Sequence, residues 1–250
     1  VVKAEKLTYT HFSEQGLPVF TLGPVDVEFL AGEIAFITGG NGSGKSTLLN
    51  VIAGAITADT GSIMLDGTDV TKVAEHRRSR WISRIFQDPL KGTAPELTLL
   101  ENLRLASLRT SRKGLTIGTG AAFRMNALNR LASLGIGLEN KLDQQVGTLS
   151  GGQRQALSLL MAVMADAKIL LLDEPTAALD PRTATTVMEL ANRLIREYGL
   201  TALLITHQLK DAVTYGERVI VLSEGTIATE FTGESRKSLQ VSDLLKWFGA

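Results

Sequence analysis

Nine consecutive residues, Gly39-Gly40-Asn41-Gly42-Ser43-Gly44-Lys45-Ser46-Thr47, carry the pattern Gly-x-x-x-x-Gly-Lys-[Ser/Thr] of a phosphate-binding P-loop. Glycines let the backbone curl until successive N–H groups point inward at phosphate oxygens. A helix starting at the end of the loop adds the positive end of its dipole. Lys45 has the reach for β- and γ-phosphates, and the Ser46 hydroxyl can ligate Mg²⁺. At average residue usage such a pattern arises by chance in about one chain in a hundred of this length. Here the apolar run Ile34-Ala35-Phe36-Ile37 precedes it, and Leu48, Leu49, Val51 and Ile52 follow at helical spacing. That strand–loop–helix context is the one the motif requires. The stretch predicts nucleotide binding.

Other residues have types and positions suited to phosphate chemistry. The apolar run Ile169–Leu172 ends in Asp173-Glu174, and carboxylates at the carboxyl end of a buried strand sit where open α/β sheets bind ligands. Asp173 can hold Mg²⁺ directly or through water, and Glu174 can orient or deprotonate an attacking water. Ser150 and Gln153 form a capping box, with Gly151 and Gly152 between them leaving the helix end open to an anion. On its own that run also reads as a well-capped helix. His207 follows a second buried strand on the same rim, and Gln87 closes a third with an amide able to meet Mg²⁺ or water. Asp180 before Pro181 is a ready helix N-cap. Upstream of the P-loop, His11 or Phe12 is placed to stack on a base, and Phe12 fits equally well as core.

The elements that must hold these groups can be read from periodicity. Val2 to Tyr9 suggests an edge strand, a polar turn falls at Ser13–Gly16, and Val25, Val27 and Phe29 alternate as a half-buried strand. Ser62–Leu65 reads as a strand entering an Asp66-Gly67 turn. Val73 to Arg80 reads as a helix whose His76, Arg77, Arg78 and Arg80 form a solvated basic face. Ile82–Phe86 is a strand. From about Leu90 to Ala167 helical patterns prevail. Thr98 and Glu101 cap one helix, Arg109–Gly120 is a loop, and Ala121–Leu134 is a second helix. The α/β pattern then returns with Ile169–Leu172, a helix from Pro181 to about Tyr198, and Ala202–Thr206. A hairpin at Arg218–Ser223 and Thr226–Glu230 and an amphipathic helix over Val241–Phe248 close the chain.

Composition narrows the partners. Lysine plus arginine equal aspartate plus glutamate at 26 each, so no net field favours nucleic acid. The chain has no cysteine, which excludes disulfides and thiolate chemistry, and no apolar run of membrane-spanning length. A cytoplasmic location is the default.

Taken together, the motifs resemble the ATP-binding subunit of ABC transporters over nearly the whole chain. In that family Gly39–Thr47 looks like the Walker A loop, Ile169–Asp173 the Walker B strand and Glu174 the catalytic glutamate. Leu149–Gln153 is identical to the family signature. Gln87 resembles the Q-loop residue, Ala178–Asp180 the D-loop and His207 the switch histidine. The resemblance implies an α/β fold: a P-loop NTPase core with a mostly parallel sheet, an N-terminal antiparallel β-subdomain and an inserted helical signature subdomain. Residues 1–250 would then be a single domain, with 1–89 and 166–250 as the core lobe and 90–165 as the helical subdomain. It further implies Mg²⁺-dependent ATP hydrolysis, with Ser46, Gln87 and Asp173 at the metal and Glu174, His207 and Gln87 in catalysis. Two chains would pair head to tail, so that Ser150, Gly151, Gly152, Gln153 and Asp180 of one reach the ATP on the other. The partners implied are integral membrane permease subunits and a substrate-binding protein, with the chain peripheral on the cytoplasmic side of the membrane. Arg84–Pro89, Gly92–Pro95 and Asp143–Leu160 look most like a bacterial amino-acid-type importer group, whereas Phe20–Pro24 and Phe36–Gly40 are similar to peptide-exporter ATPases. An exporter, or an ABC-type ATPase outside transport, is the alternative.

Overall fold

A computed structural model describes residues 2–108 and 118–248; residues 109–117, most of the predicted loop at 109–120, lie outside the described residues. β1 (Val2–Phe12) and β2 (Pro18–Phe29) form an antiparallel hairpin through the predicted polar turn, with His11 opposite Phe20. β3 (Ile34–Thr38) runs through the P-loop into α1 (Lys45–Ala53). β4 (Thr60–Leu65) and β5 (Thr68–Asp69) extend the first sheet, whose order is β2-β1-β4-β5. β1 is therefore interior to that sheet. It is not the edge strand that its loose alternation suggests, because β4 covers its second side.

The single-turn α2 (Glu75–Arg78) precedes β6 (Ile82–Ile85). Next come α3 (Leu99–Ser107), α4 (Ala121–Ala132) and α5 (Gly151–Val163), with only an isolated Thr98–Gln145 bridge as β structure among the described residues here. Both predicted capping boxes are formed, Thr98 with Glu101 and Ser150 with Gln153. β7 (Ile169–Asp173), α6 (Pro181–Glu197), β8 (Thr201–Ile205) and α7 (Leu209–Tyr215) follow. After them come β9 (Arg218–Ser223), β10 (Thr226–Phe231), α8 (Gly233–Lys237) and α9 (Val241–Leu245). α7 and α8 have too few turns to display a 3.6-residue repeat, which is why periodicity does not predict them.

The second sheet runs β10-β9-β3-β8-β7-β6 and is parallel except for β10. Its central strands are apolar on both faces, and the two-residue alternation of side chains divides them between two cores. Ala35, Ile37, Ile169, Leu171, Leu203 and Ile205 pack with α1 and the antiparallel sheet. Ile34, Phe36, Leu170, Leu172, Ala202 and Leu204 pack with the helices on the other side. Leu99, Leu131, Val146, Leu157 and Leu160 belong to that same cluster, so the helical stretch from 90 to 165 shares its core with the sheet.

One basic residue departs from the solvated face predicted for it. Arg78 is 2% exposed. Its Nη1 donates to the carbonyls of Val51 at 2.9 Å and Ile52 at 2.7 Å, Nε to Val73 at 2.8 Å and Nη2 to Thr71 at 3.2 Å. α1 has no basic residue in its own last turn, and Arg78 supplies that charge from outside the helix. Single-turn α2 thus serves to deliver a guanidinium to the end of the P-loop helix. Arg78→Ala strands these buried acceptors and should cost about 3 kcal/mol or more, with Arg78→Lys intermediate because it keeps the charge without the fork. Urea unfolding checks this; a loss below about 1 kcal/mol for Arg78→Ala would contradict it.

Candidate active site

Between β3 and α1 the loop is tight because its glycines remove side chains that would collide. Gly39 has φ +147°, and a Cβ there would lie 2.1 Å from the Leu222 carbonyl oxygen. At Gly44, φ is +100° and a Cβ would lie 2.8 Å from Phe20 Cζ. Lys45 is folded back into this loop, with Nζ donating to the carbonyls of Gly39 at 2.9 Å and Gly40 at 2.8 Å. It is 6% exposed; burial pushes its pKa down, against the opposing pull of Glu174 and then Asp173. A triphosphate would supply the anionic partner that this buried ammonium has only at a distance. Ser43 Oγ and Thr38 Oγ1 are buried beside the loop with no hydrogen-bond partner among the described residues.

The acidic wall comes from β7. Ser46 Oγ donates to Asp173 Oδ1 at 3.2 Å. Burial pushes the Asp173 pKa up, while the Ser46 bond, Arg84 and Lys45 pull it down and Glu174 adds to the rise. Glu174 takes φ +48°, a left-handed conformation rare for a residue with a side chain and typical of functional positions. Its backbone N–H donates to the Ile205 carbonyl at 3.1 Å, which ties the bend to β8. From the end of β8, His207 Nε2 lies 2.8 Å from Glu174 Oε1. Lys45, Ser46, Asp173, Glu174 and His207 therefore meet on one rim, as the sheet order requires with β8 between β3 and β7.

A cleft of about 670 Å³ opens over this rim, bounded by Asn41, Gly42, Gly44, Thr47, Glu174 and His207. Its other wall is Tyr9, His11, Val19, Phe20 and Ile56. His11 is thus on the cleft. Phe12 is a correction: it is 54% exposed and is not among the cleft residues, since the strand alternation that brings Tyr9 and His11 to the cleft leaves it out. Phe20 is the aromatic that residue reading misses. Folding the chain at the Ser13–Gly16 turn, which sets Phe20 against His11, is the signal that would have found it.

Three other predicted groups lie away from the cleft. Gln87 is exposed just beyond β6. Asp180 caps α6, its Oδ1 accepting from the Thr183 N–H at 3.1 Å, and these bonds from Thr183 hold its carboxyl below the usual range. Ser150 and Gln153 close the N-terminus of α5, and Lys141 Nζ donates to Gln153 Oε1 at 3.0 Å. The expectation that both glycines leave this end open needs correcting. Gly152 is buried, and a Cβ on it would sit 2.2 Å from Thr183 Cγ2; one on Gly151 would meet Leu179 Cδ2 at 3.1 Å. At least Gly152 is there to let α5 and α6 touch. Gly152→Ala should lower stability by about 2 kcal/mol, and adding Thr183→Ser, which removes Cγ2, should recover most of it. Thermal melts of the single and double variants check this; no recovery in the double variant would contradict the contact.

Comparison with known proteins agrees with this geometry. The family description that fits is ABC transporter, matched over residues 22–177. A tyrosine transport ATP-binding protein of Clostridioides difficile (strain R20291) is 43% identical over 227 residues, covering 90% of this chain and 88% of its own. The thiamine import ATP-binding protein ThiQ of Escherichia coli (strain K12) is 35% identical over 197 residues, 79% of this chain and 80% of its own. Among solved structures, a dimeric ATP-binding cassette in a post-hydrolysis state with ADP and Pi matches with TM-score 0.78 at 30% identity. That match covers 93% of this chain and 98% of the cassette. Another cassette of an ABC transporter matches with TM-score 0.80 at 29% identity, over 100% of this chain and 99% of its own. A P-loop, an acidic strand end and a histidine on one rim, in a fold and sequence this close to those cassettes, have one meaning: the chain belongs to the ABC transporter family and is an ATP-binding, ATP-hydrolysing subunit of it.

Proposed function

We propose that the chain energises a bacterial importer of a small solute, of amino-acid type, by closing head to tail with a second copy around ATP. The observation that carries this is a division of labour within one chain. Lys45, Ser46, Glu174 and His207 line one cleft, with Asp173 hydrogen-bonded to Ser46, while Ser150, Gly151, Gly152, Gln153 and Asp180 lie outside it. The ATP in a partner chain's cleft would give the start of α5, with the Ser150 hydroxyl and its free backbone N–H groups, an anion to bind. The dimeric post-hydrolysis cassette supports the pairing, and the tyrosine and thiamine transport relatives support import of a small solute.

On this reading the P-loop N–H groups and Lys45 hold the β- and γ-phosphates, with the adenine against the wall of His11 and Phe20. Ser46 and Asp173 offer a hydroxyl and a carboxylate oxygen, and no group of three or more His, Cys, Asp or Glu forms a cage among the described residues. Such a sparse set of hard oxygens suits Mg²⁺, which would find its other ligands in water and phosphate and would supply charge neutralisation at the γ-phosphate. Gln87 would join that set when the segment after β6 moves in. Glu174 accepts a proton from the attacking water, and His207 holds the carboxylate at the angle the reaction needs.

Past Gln87 lies a groove of about 380 Å³, walled by Phe86, Pro89, Thr93, Ala94, Leu105 and Met161, that suits a permease element. It lies between the end of β6 and helices α3 and α5, where a permease element would press on both. Among the described residues no helix is long and apolar enough to cross a membrane. A peripheral place on the cytoplasmic face, beside permease subunits and with a substrate-binding protein as the delivering partner, follows from the import reading.

Glu174→Gln should retain ATP binding, lose turnover by about 100-fold or more and run as an ATP-dependent dimer. Expressed with its own membrane, the same variant should copurify with a polytopic subunit. Size-exclusion chromatography, phosphate release and affinity purification read these outcomes. Undiminished turnover would remove Glu174 from the mechanism, and recovery with soluble partners alone would remove the transporter.

A further inference from the structure

Arg84 has no role in the reading above, yet its guanidinium lies at the carboxylate proposed to hold the cation. It sits on β6 opposite Leu171 of β7, two residues short of Asp173 along that strand. Nη2 donates to Asn50 Oδ1 at 2.5 Å and lies 3.7 Å from Asp173 Oδ2. Nη1 lies 3.9 Å from Glu75 Oε1, and the guanidinium stands 4.7 Å from the centre of the Phe86 ring. The side chain is 13% exposed, so solvent screens it poorly.

The two oxygens of Asp173 are thus divided between two neighbours. Oδ1 accepts from Ser46, and Oδ2 faces Arg84. We propose that Arg84 is a positioning residue that balances Asp173 when no cation is present and competes with the divalent cation for it, setting how much Mg²⁺ the site requires. The guanidinium orients the carboxylate, which helps the cation, and repels the cation across a short, poorly screened distance. Repulsion between a double and a single positive charge outweighs the orientation, because Ser46 already fixes Oδ1. Asn50 and Glu75 give Arg84 somewhere to turn when the cation enters, so the exchange needs no strand movement.

This rests on Ser46 and Asp173 being the cation-holding pair, and the test separates the two claims. The parent is the Glu174→Gln chain with ATP, and the probe is Mn²⁺, whose free ion is counted by electron paramagnetic resonance. Asp173→Asn should abolish tight Mn²⁺ binding; retained binding would overturn the cation site and with it the role of Arg84. Arg84→Gln, which keeps a donor for Asn50 without the charge, should tighten Mn²⁺ binding about three- to tenfold. Arg84→Lys, which keeps the charge, should stay within about twofold of the parent, and ATP binding in EDTA should be unchanged in both. If Arg84→Gln does not fold, Arg84→Met, neutral and of similar length, should tighten Mn²⁺ in the same direction. Weakened or unchanged Mn²⁺ binding in the neutral variant, or equal shifts in Arg84→Gln and Arg84→Lys, would overturn the proposal.

Discussion

β3, β7 and β8 are apolar on both faces, so their only places for chemistry are their ends. That constraint organises the molecule. Because these strands are parallel and adjacent, their carboxyl ends form one rim, and whatever follows each strand must meet there. The P-loop follows β3, Glu174 follows Asp173 at the end of β7, and His207 follows β8. On the far side of β7, Arg84 comes from β6 and Gln87 from just beyond it. Nothing about the individual residues makes them neighbours across the chain from 45 to 207. The register of the sheet does.

The rim holds two largely buried charges of opposite sign. Burial works against the charge on Lys45 and against the charge on Asp173, although the two have opposite signs and partly compensate. Lys45 makes do with loop carbonyls, Asp173 with a hydroxyl and a guanidinium 3.7 Å away. A triphosphate with its cation would replace weak partners by strong ones. The left-handed backbone of Glu174 belongs to the same economy of position, since it aims a carboxylate that an extended strand would direct elsewhere.

Most of this was legible in the sequence because motif and element coincide. Loop, acidic strand end and capping box each sit at a boundary that period and cap residues mark, and the parallel sheet follows from buried runs alternating with helices. What escaped depended on pairing between distant segments. Arg78 reads as one of several surface bases until α1 is seen to end beside it. Phe20 reads as an ordinary strand residue until the hairpin sets it against His11. Gly152 reads as an opening for a ligand until Thr183 is found in the space its side chain would fill. β1 loses its edge character through β4, more than fifty residues later. In each case the missing information is a contact between elements, which local periodicity does not contain.

In the proposed mechanism one ATP is held by two chains, by the P-loop of one and the start of α5 of the other. The chain has no cysteine, so a single introduced thiol is unambiguous. The direct measurement mixes Glu174→Gln chains carrying Asn41→Cys with Glu174→Gln chains carrying Thr148→Cys and follows oxidative cross-linking on a non-reducing gel. The account predicts a 41–148 disulfide dimer that forms with ATP and is absent with ADP or without nucleotide. Failure to cross-link with ATP, while the mixed chains still bind it, would contradict a shared site.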